Sequence, residues 1–454
     1  MKTGFKMTTT RIISMGFLLA IIIGTILLLL PWATASGESA GFTDALFTAT
    51  TSVCVTGLVV VDTFSFWSLF GKIVILILIQ IGGLGIVSLT SMFMMIFRRK
   101  FTFKNTMLMQ DAFNLNTRQG LKKFTRRVIQ GTFLIEGIGA ILCCFTFVPR
   151  FGAKGIWYAI FHSVSSFCNA GIDIIGANSL MDFASNPYLL IVTALLIILG
   201  GLGFVVWWDI TDIIGKLKNK KIRWGMVRTT MKLHTKIVLL MTAGLLVAGT
   251  VVIFIFERNN PLTLGGLSAG DKVLNAFFQS VTLRTAGFAS FSQKGLNNHT
   301  ALFSMLLMFI GGSPVGTAGG IKTVTFAICF FTFLSMIQEK DEIVAMKKKI
   351  PNVMVKKAVT IVFISFSLVI IFAILLMLTN DVDFVDGMYE VVSAIATVGL
   401  SRDLTSSLNI YGRLIIICCM YLGRIGPISM AVAFHSQDSR KNLIHYPEEE
   451  IIVG

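Results

Sequence analysis

Four short segments of the chain share one pattern, an apolar stretch that ends in glycine followed by a large apolar residue. They read LFTATTSVCVTGL at 46–58, IFHSVSSFCNAGI at 160–172, FFQSVTLRTAGF at 277–288 and MYEVVSAIATVGL at 388–400. Ten positions before each glycine stands an aromatic residue: Phe47, Phe161, Phe277 and Tyr389. The four glycines are separated by 114, 116 and 112 residues. Four matches at a near-constant spacing indicate internal duplication.

The chemistry available to such segments is the binding of a dehydrated cation by peptide oxygens. A selective pore replaces the hydration shell of its ion with backbone carbonyl groups. Glycine suits the tightest point because it adopts unusual torsion angles and lets another backbone approach closely. A turn is the alternative role of any single glycine, but recurrence in all four loops favours ligands. The candidate carbonyl ligands belong to Cys54, Val55, Thr56, Gly57, Cys168, Asn169, Ala170, Gly171, Arg284, Thr285, Ala286, Gly287, Ala396, Thr397, Val398 and Gly399.

A glycine-rich break interrupts the last apolar segment of the third repeat. Five glycines and a proline between positions 311 and 320 cannot form a regular helix. The backbone groups so freed need partners or water. We therefore expect a mobile loop at 311–322 that obstructs the pore as a gate; a static kink is the alternative. The residues assigned to the gate are Gly311, Gly312, Ser313, Pro314, Gly316, Thr317, Gly319, Gly320, Lys322 and Arg424.

Two basic side chains in this set lie within apolar segments. Arg424 falls inside the last apolar stretch, where a charge costs about 2.5–3.5 kcal/mol on insertion scales and therefore needs partners. We expect Arg424 to donate hydrogen bonds to carbonyls of the gate loop or behind the filter and to hold the closed state. Lys322 either contributes to the gate or extends to the membrane surface.

The elements that must position these residues are membrane helices. The chain is 54% hydrophobic and only 14% charged, whereas soluble domains carry roughly 25% charged residues. The pattern predicts an all-α membrane protein with eight transmembrane helices and four helix–pore-loop–helix repeats around a pseudo-fourfold pore. First helices are expected near 12–31, 128–148, 235–256 and 355–378. Second helices are expected near 68–97, 187–212, 301–336 and 409–434. The repeats are then 1–97, 98–212, 213–336 and 337–434, with a cytoplasmic tail at 435–454.

The apolar segments before the four glycines are too short to cross a bilayer. A stretch of 10–14 apolar residues is typically re-entrant, and irregular backbone after it must be buried or line water. Asp44, Asp271 and Asp383 stand where N-caps of these short helices are expected. Their C-terminal ends would then direct negative dipole ends towards a cation. Helices lying flat in the interface are the alternative.

The charge distribution gives an orientation. Of the 39 Lys and Arg residues, 28 fall on one side of the predicted spans and 7 on the pore-loop side, which also carries 12 acids. Cytoplasmic loops are enriched in Lys and Arg, so both termini are expected to be cytoplasmic. An acidic outer mouth would concentrate cations. The basic loops 98–127, 209–236 and 337–357 could bind an acidic partner or membrane lipid; the positive-inside bias explains them equally well. Nucleic acid is not an expected ligand.

The four loops resemble those of the Trk/Ktr/HKT superfamily of cation transporters over essentially the whole chain. The short N-terminus and the final YPEEEIIVG are most similar to the KtrB-like membrane subunits of bacterial Ktr systems. The resemblance implies one glycine per loop for potassium selectivity, an intramembrane loop in the third repeat, and location in the bacterial cell membrane. It also implies a homodimer on a cytosolic ring of nucleotide-binding RCK/KtrA-like subunits, with Na⁺ as an activator in some members. Cys54 departs from the threonine expected there.

These observations together favour potassium uptake through a channel-like pore under control of a cytosolic subunit. The alternative is a sodium-coupled or sodium-selective carrier, although carriers usually show inverted repeats and broken helices at a midplane site. An enzyme is not expected, because no Ser-His-Asp set, H-E-x-x-H or P-loop motif occurs. The seven cysteines show no zinc spacing. Apart from K⁺ as the transported ion, with Na⁺ as an optional activator, no cofactor is predicted.

Overall fold

A computed structural model describes residues 9–85 and 121–426. Its four longest helices are the first helices of the repeats: Thr9–Leu28, Leu121–Phe151, Leu233–Glu257 and Asn352–Thr379. Each is long and apolar enough to cross a membrane. They confirm the predicted first helices, with ends shifted by a few residues. Much of their surface is apolar and exposed, as at Leu19 and Phe363, which suits contact with lipid.

A shorter helix follows each first helix and ends inside one of the four glycine-ended segments, a few residues before its glycine. These pore helices are Phe42–Cys54, Lys154–Cys168, Ala269–Thr282 and Phe384–Ile395. At 12 to 15 residues they reach only about 18–23 Å. They are too short to span the hydrocarbon core and form the interior of the molecule. Phe47, Phe161 and Tyr389 are fully buried. The equivalent Phe277 of repeat 3 is only partly buried, and its neighbour Phe278 is fully buried.

The predicted N-caps of the pore helices are right at one position and wrong at two. Asp383 caps pore helix 4 by accepting the backbone N–H of Val385 at 3.3 Å. In pore helix 3 Ser268 is the cap, because its hydroxyl accepts the N–H of Asp271 at 3.3 Å. Pore helix 1 has Gly41 as its N-cap, so Asp44 lies in the first turn, where its carboxylate pairs with Arg413 at 2.6 Å.

The second helices are shorter than the first ones. They are Leu69–Leu84 in repeat 1, Pro187–Gly201 in repeat 2 and Ile410–Ile425 in repeat 4, with two pieces, Asn298–Phe309 and Thr323–Ile337, in repeat 3. The predicted continuations to 97 and 434 lie outside the described residues. In repeats 1 and 4 the C-cap of the helix is a glycine with positive φ, Gly85 and Gly426, and in repeat 2 Gly203, two residues after the helix end, has a positive φ.

Repeat 2 departs from the predicted unbroken helix at 187–212. After Gly201 the chain bends by 97° into a second piece, Phe204–Lys218, which we call the lateral helix. Gly203 permits the bend, since its φ is +84° and a Cβ there would lie 2.4 Å from the carbonyl oxygen of Pro314. The predicted repeat boundary at 212 falls inside the lateral helix. Repeat 2 therefore contains a helix break, as repeat 3 does.

The remaining elements are small and lie between the repeats or beside the pore helices. They comprise the helical turns Thr63–Phe66 and Val227–Thr230, four 3₁₀ turns (Pro31–Ala33, Met181–Phe183, Trp224–Met226 and Thr405–Ser407) and one antiparallel hairpin pairing Val344–Ala345 with Lys348–Lys349. The fold is accordingly an all-α membrane architecture with a single two-residue-strand hairpin among the described residues.

Candidate cation site and the loop beneath it

The four predicted glycines converge and form a closed ring with one carbonyl group from each repeat. A Cβ added to Gly57 would lie 2.5 Å from the oxygen of Ala170 in repeat 2. The same construction at Gly171 meets the oxygen of Ala286 at 2.6 Å. Around the rest of the ring, a Cβ on Gly287 would lie 2.7 Å from the oxygen of Val398, and a Cβ on Gly399 would lie 2.0 Å from the oxygen of Thr56. Any side chain at these four positions would therefore clash with the carbonyl oxygen of the next repeat.

Backbone torsion angles repeat around this ring. The glycines have φ between +65° and +97°. Two positions earlier each repeat has a second positive φ, between +51° and +70°, at Val55, Asn169, Thr285 and Thr397. Since non-glycine residues rarely adopt such angles, strain of this kind is expected only where the fold enforces it. All four strands therefore follow the same alternating path, as the duplication predicts.

Hydrogen bonding leaves the ring carbonyls free. In each repeat the N–H of the residue before the glycine bonds back to its pore helix, at 2.8 to 2.9 Å; these residues are Thr56, Ala170, Ala286 and Val398. Their carbonyl oxygens accept no hydrogen bond from the described residues, although all four residues are buried. Buried backbone carbonyls nearly always have a partner. Four unpartnered oxygens arranged around one ring are suited to a dehydrated cation.

One hydroxyl group per repeat anchors each strand to its pore helix. Thr51 accepts the N–H of Gly57 at 3.0 Å, and Ser393 accepts that of Gly399 at 3.1 Å. In the other two repeats Ser165 donates to the oxygen of Ile172 and Thr282 to that of Phe288. Our sequence analysis missed these residues. The signal was present, because a Ser or Thr stands five or six positions before every glycine.

Side chains of the predicted filter residues lie behind the ring. The thiol of Cys168 lies 3.6 Å from a carboxylate oxygen of Glu136, which also accepts from Gln80 at 3.1 Å. The guanidinium of Arg284 donates to the oxygen of Gly311, in the gate loop, at 3.3 Å. All sixteen predicted residues are buried. Among the described residues no group of three or more His, Cys, Asp or Glu could hold a metal ion.

The predicted gate loop at 311–322 lies directly under this ring. Its ends are paired, since the N–H of Gly311 bonds to the oxygen of Ile321 at 3.0 Å and Thr323 returns a bond to Gly312 at 3.0 Å. Gly319 meets the filter, because its N–H donates to the hydroxyl of Thr285 at 3.2 Å. A Cβ on Gly319 would lie 2.7 Å from the oxygen of Ala396. The loop therefore touches two of the four filter strands.

Gate-loop contacts also extend to repeat 2. Ser313 and Thr317 donate backbone N–H groups to Gly201 and Gly200 at 2.9 and 3.2 Å. The hydroxyl of Thr317 donates to the oxygen of Phe167, at the end of pore helix 2, at 3.0 Å. Val315 accepts the first N–H of the lateral helix, from Phe204, at 3.0 Å. These contacts satisfy much of the irregular backbone, as burial in a membrane requires.

Two further cations hold carbonyl groups of the loop. Arg424 donates to the oxygen of Thr317 at 2.7 Å and to that of Gly82 in repeat 1. The ammonium of Lys322 donates to the oxygen of Ala318 at 2.6 Å. Arg284, Lys322 and Arg424 thus place three positive charges around the loop. Together their hydrogen bonds hold carbonyl groups of the loop in the position described.

Acidic residues at the outer end of the ring have different surroundings. Asp173, two residues beyond Gly171, is partly buried, and burial raises its pKa to about 7 while a hydrogen bond from Ser179 opposes the shift. Glu257 and Glu390 were counted in the predicted acidic mouth but are fully buried. Glu257 accepts from Thr263 at 2.7 Å, and Glu390 accepts from Ser401 at 2.7 Å. Because they act as internal acceptors, the exposed acidic surface is smaller than the count of acids implied.

Comparison with known proteins gives consistent results along the chain. The family model described as TrkH, cation transport protein, matches residues 4–444. The potassium/sodium uptake protein NtpJ of Enterococcus hirae is 38% identical over 99% of this chain and 98% of its own length. The Ktr system potassium uptake protein B of Bacillus subtilis is 36% identical over 99% and 97%, respectively.

A solved structure shares the fold. The potassium transporter TrkH from Vibrio parahaemolyticus superposes with a TM-score of 0.71 at 14% sequence identity. The match covers 96% of this chain and 87% of that one. At this identity the likeness concerns the fold alone.

Proposed function

Since the chain belongs to the TrkH family of cation transport proteins, we propose that it takes up potassium through the ring of peptide oxygens. The observation that carries the proposal is the closure of that ring, with each glycine facing a free carbonyl of the next repeat. Carbonyl oxygens replace the hydration shell of the ion. The names of the relatives, which include potassium uptake in two Ktr proteins and in NtpJ, support the choice of ion.

Pore helices add an electrostatic contribution at this site. All four end immediately before the ring, so their C-terminal dipole ends point towards it. A helix C-terminus carries the equivalent of roughly half a negative charge. Four such ends favour a cation without a charged side chain. This arrangement allows the ion to be bound and released, which conduction requires.

The gate loop is the proposed barrier to conduction. It lies against the filter strands of repeats 3 and 4, and the cations Arg284, Lys322 and Arg424 hold it there. Opening requires the loop to leave the ring, and these hydrogen bonds must then break or be exchanged. A cytosolic nucleotide-binding subunit is the proposed source of that work, in a homodimer located in the bacterial cell membrane with both termini cytoplasmic. The Ktr system names of two relatives support a multicomponent system.

A sodium-coupled or sodium-selective carrier is the second candidate, favoured by the name of NtpJ, which includes sodium. Uptake of ⁸⁶Rb⁺ and ²²Na⁺ into liposomes containing the purified protein separates the two functions. A selective potassium pore predicts Rb⁺ uptake in the absence of sodium and little Na⁺ uptake. Rb⁺ uptake that requires a sodium gradient, or faster Na⁺ uptake than Rb⁺ uptake, would establish the carrier instead.

A further inference from the structure

A pocket of about 560 Å³ lies beside the lateral helix, and no residue of the ring lines it. One wall is the start of the first helix of repeat 2, with Arg127 and Ile135. The lateral helix forms the opposite wall with Trp207, Trp208 and Lys216, and Lys221 follows its end. The pocket therefore combines basic and aromatic side chains with an apolar wall.

The lateral helix has the character of an interfacial helix. It bends by 97° from the preceding membrane helix, so it does not continue across the bilayer. Its start is apolar and aromatic, and its last turn carries Lys216 and Lys218. Tryptophans and lysines of this kind lie at the membrane–water boundary. Under the orientation proposed above, this boundary faces the cytoplasm.

The charge of the pocket is positive. Arg127, Lys216 and Lys221 contribute three cations, and among the lining residues that the structure describes Asp212 is the one acid. Asp212 pairs with Lys216 at 2.8 Å, with its side chain 64% exposed and turned to solvent. Arg127 lies over the ring of Trp208, 5.2 Å from its centroid. After the pairing of Asp212 with Lys216, the pocket keeps a net charge of two positive units next to the rings of Trp207 and Trp208.

We propose that this pocket binds the phosphate headgroup of an anionic phospholipid from the cytoplasmic leaflet. The cations complement the phosphate, as in basic pockets between membrane helices at the cytoplasmic side. Val128, Ile135 and Phe204 supply an apolar wall for the glycerol and upper acyl region. A free phosphate would not need that wall, and a zwitterionic lipid would not need the excess positive charge.

An occupant of this pocket would act on the gate loop through one helix. The first N–H of the lateral helix, from Phe204, donates to Val315 of the loop at 3.0 Å. Val315 also packs in the same small cluster as Phe204 and Trp208. A lipid that fixes the lateral helix therefore stabilises the gate loop in the position described here. This consequence depends on the proposed gate, whereas the binding itself does not.

Lipid binding is tested by quenching of tryptophan fluorescence in detergent with brominated phospholipids. Brominated phosphatidylglycerol should quench at lower concentration than brominated phosphatidylcholine, and the difference should disappear in Trp207→Phe/Trp208→Phe. The triple variant Arg127→Gln/Lys216→Gln/Lys221→Gln should raise the half-quenching concentration of phosphatidylglycerol about tenfold or more. The matched control Lys340→Gln/Lys347→Gln/Lys348→Gln removes three exposed charges from the predicted cytoplasmic face and should leave it unchanged.

Three results would overturn the proposal. The two lipids could quench equally, the two triple variants could weaken binding equally, or glycerol phosphate alone could displace the brominated lipid completely. The last result would identify a soluble phosphate as the ligand. If the first triple variant does not purify as a monodisperse protein, Lys221→Gln alone replaces it, because this exposed residue lies beyond the helix. The assay does not measure transport, so its outcome is independent of the proposed potassium conduction.

The link to the gate has its own measurement. In liposomes without a cytosolic partner, adding phosphatidylglycerol to phosphatidylcholine should lower basal ⁸⁶Rb⁺ uptake by the wild-type protein. The pocket triple variant should lose this dependence, and the control triple variant should keep it. A dependence that persists unchanged in the pocket variant would refute the link.

Discussion

Replacing Arg424 by alanine should raise the basal flux, because this side chain fastens the gate loop to another repeat. Its guanidinium donates to Thr317 in the loop at 2.7 Å and to Gly82 in repeat 1. A hydrogen bond to a charged group contributes about 1.5–3 kcal/mol. Arg424 is only partly buried, so water replaces part of this energy, and we take about 2–3 kcal/mol for the pair.

That energy converts directly into a change in gating. Since 1.4 kcal/mol is a factor of ten, losing about 2–3 kcal/mol shifts the closed-to-open ratio by about 30- to 140-fold. The observed increase in flux is smaller if the open state becomes the majority. Removing a positive charge beside the pathway also lowers the barrier for a cation. The assay is ⁸⁶Rb⁺ uptake into liposomes containing the protein without a cytosolic partner.

A matched control lies on the same helix. Arg413 pairs with Asp44 at 2.6 Å and does not touch the gate loop, so Arg413→Ala should keep the wild-type basal flux. Arg424→Lys retains the charge but offers a single ammonium in place of two guanidinium donors, and it should fall between wild type and Arg424→Ala. An Arg424→Ala protein that is folded, as judged by gel filtration, and shows unchanged basal flux would refute the reasoning.

Three further predictions concern the ring and its surroundings. Gly57→Ser should reduce discrimination of Rb⁺ against Na⁺ in competition flux assays, because a Cβ would clash with the Ala170 carbonyl. The control is Gly244→Ser, where a Cβ meets nothing within 4 Å. Intact selectivity in Gly57→Ser would remove that loop from the filter. Ser393→Ala removes the acceptor of the 3.1 Å hydrogen bond from the Gly399 N–H and should weaken the attachment of this strand to its pore helix by about 1 kcal/mol. The same competition assay should show lower selectivity for Rb⁺ over Na⁺ at normal expression. Wild-type selectivity would count against the anchoring role of Ser393. Asp173, with its pKa raised to about 7, is charged above that pH and neutral below it. Uptake at low external K⁺ should therefore fall as external pH decreases from 8 to 6. Asp173→Asn should flatten this pH profile, and an unchanged profile would exclude this carboxylate as its cause.

The sequence predicted the ring because duplication repeats its signal four times. One glycine carries little information, but four at a near-constant spacing specify both the loops and their common axis. The positions of the first helices followed for a similar reason, since about 20 apolar residues in succession have few alternatives in a membrane protein. The irregular backbone of the loop at 311–322 could also be predicted, because five glycines and a proline exclude a regular helix.

The features that sequence reasoning missed depend on contacts between distant segments. The break at Gly203 follows from the approach of Pro314, which lies more than a hundred residues later. Asp44 is not the N-cap because pore helix 1 begins two residues before it, and its carboxylate pairs with Arg413, more than 350 residues later. Whether an acid faces solvent or an internal hydroxyl, as Glu390 does, cannot be read from a count of charges. These outcomes are set by tertiary packing, which a local pattern does not encode.

The central claim is that a bare monovalent cation binds among the oxygens of Thr56, Ala170, Ala286 and Val398. Anomalous diffraction from crystals grown with Rb⁺ or Tl⁺ in place of K⁺ tests this claim most directly. The account predicts an anomalous peak on the axis of the ring, within coordination distance of all four oxygens. Crystals of transport-competent protein that contain the heavy ion elsewhere, but show no peak in the ring, would contradict it.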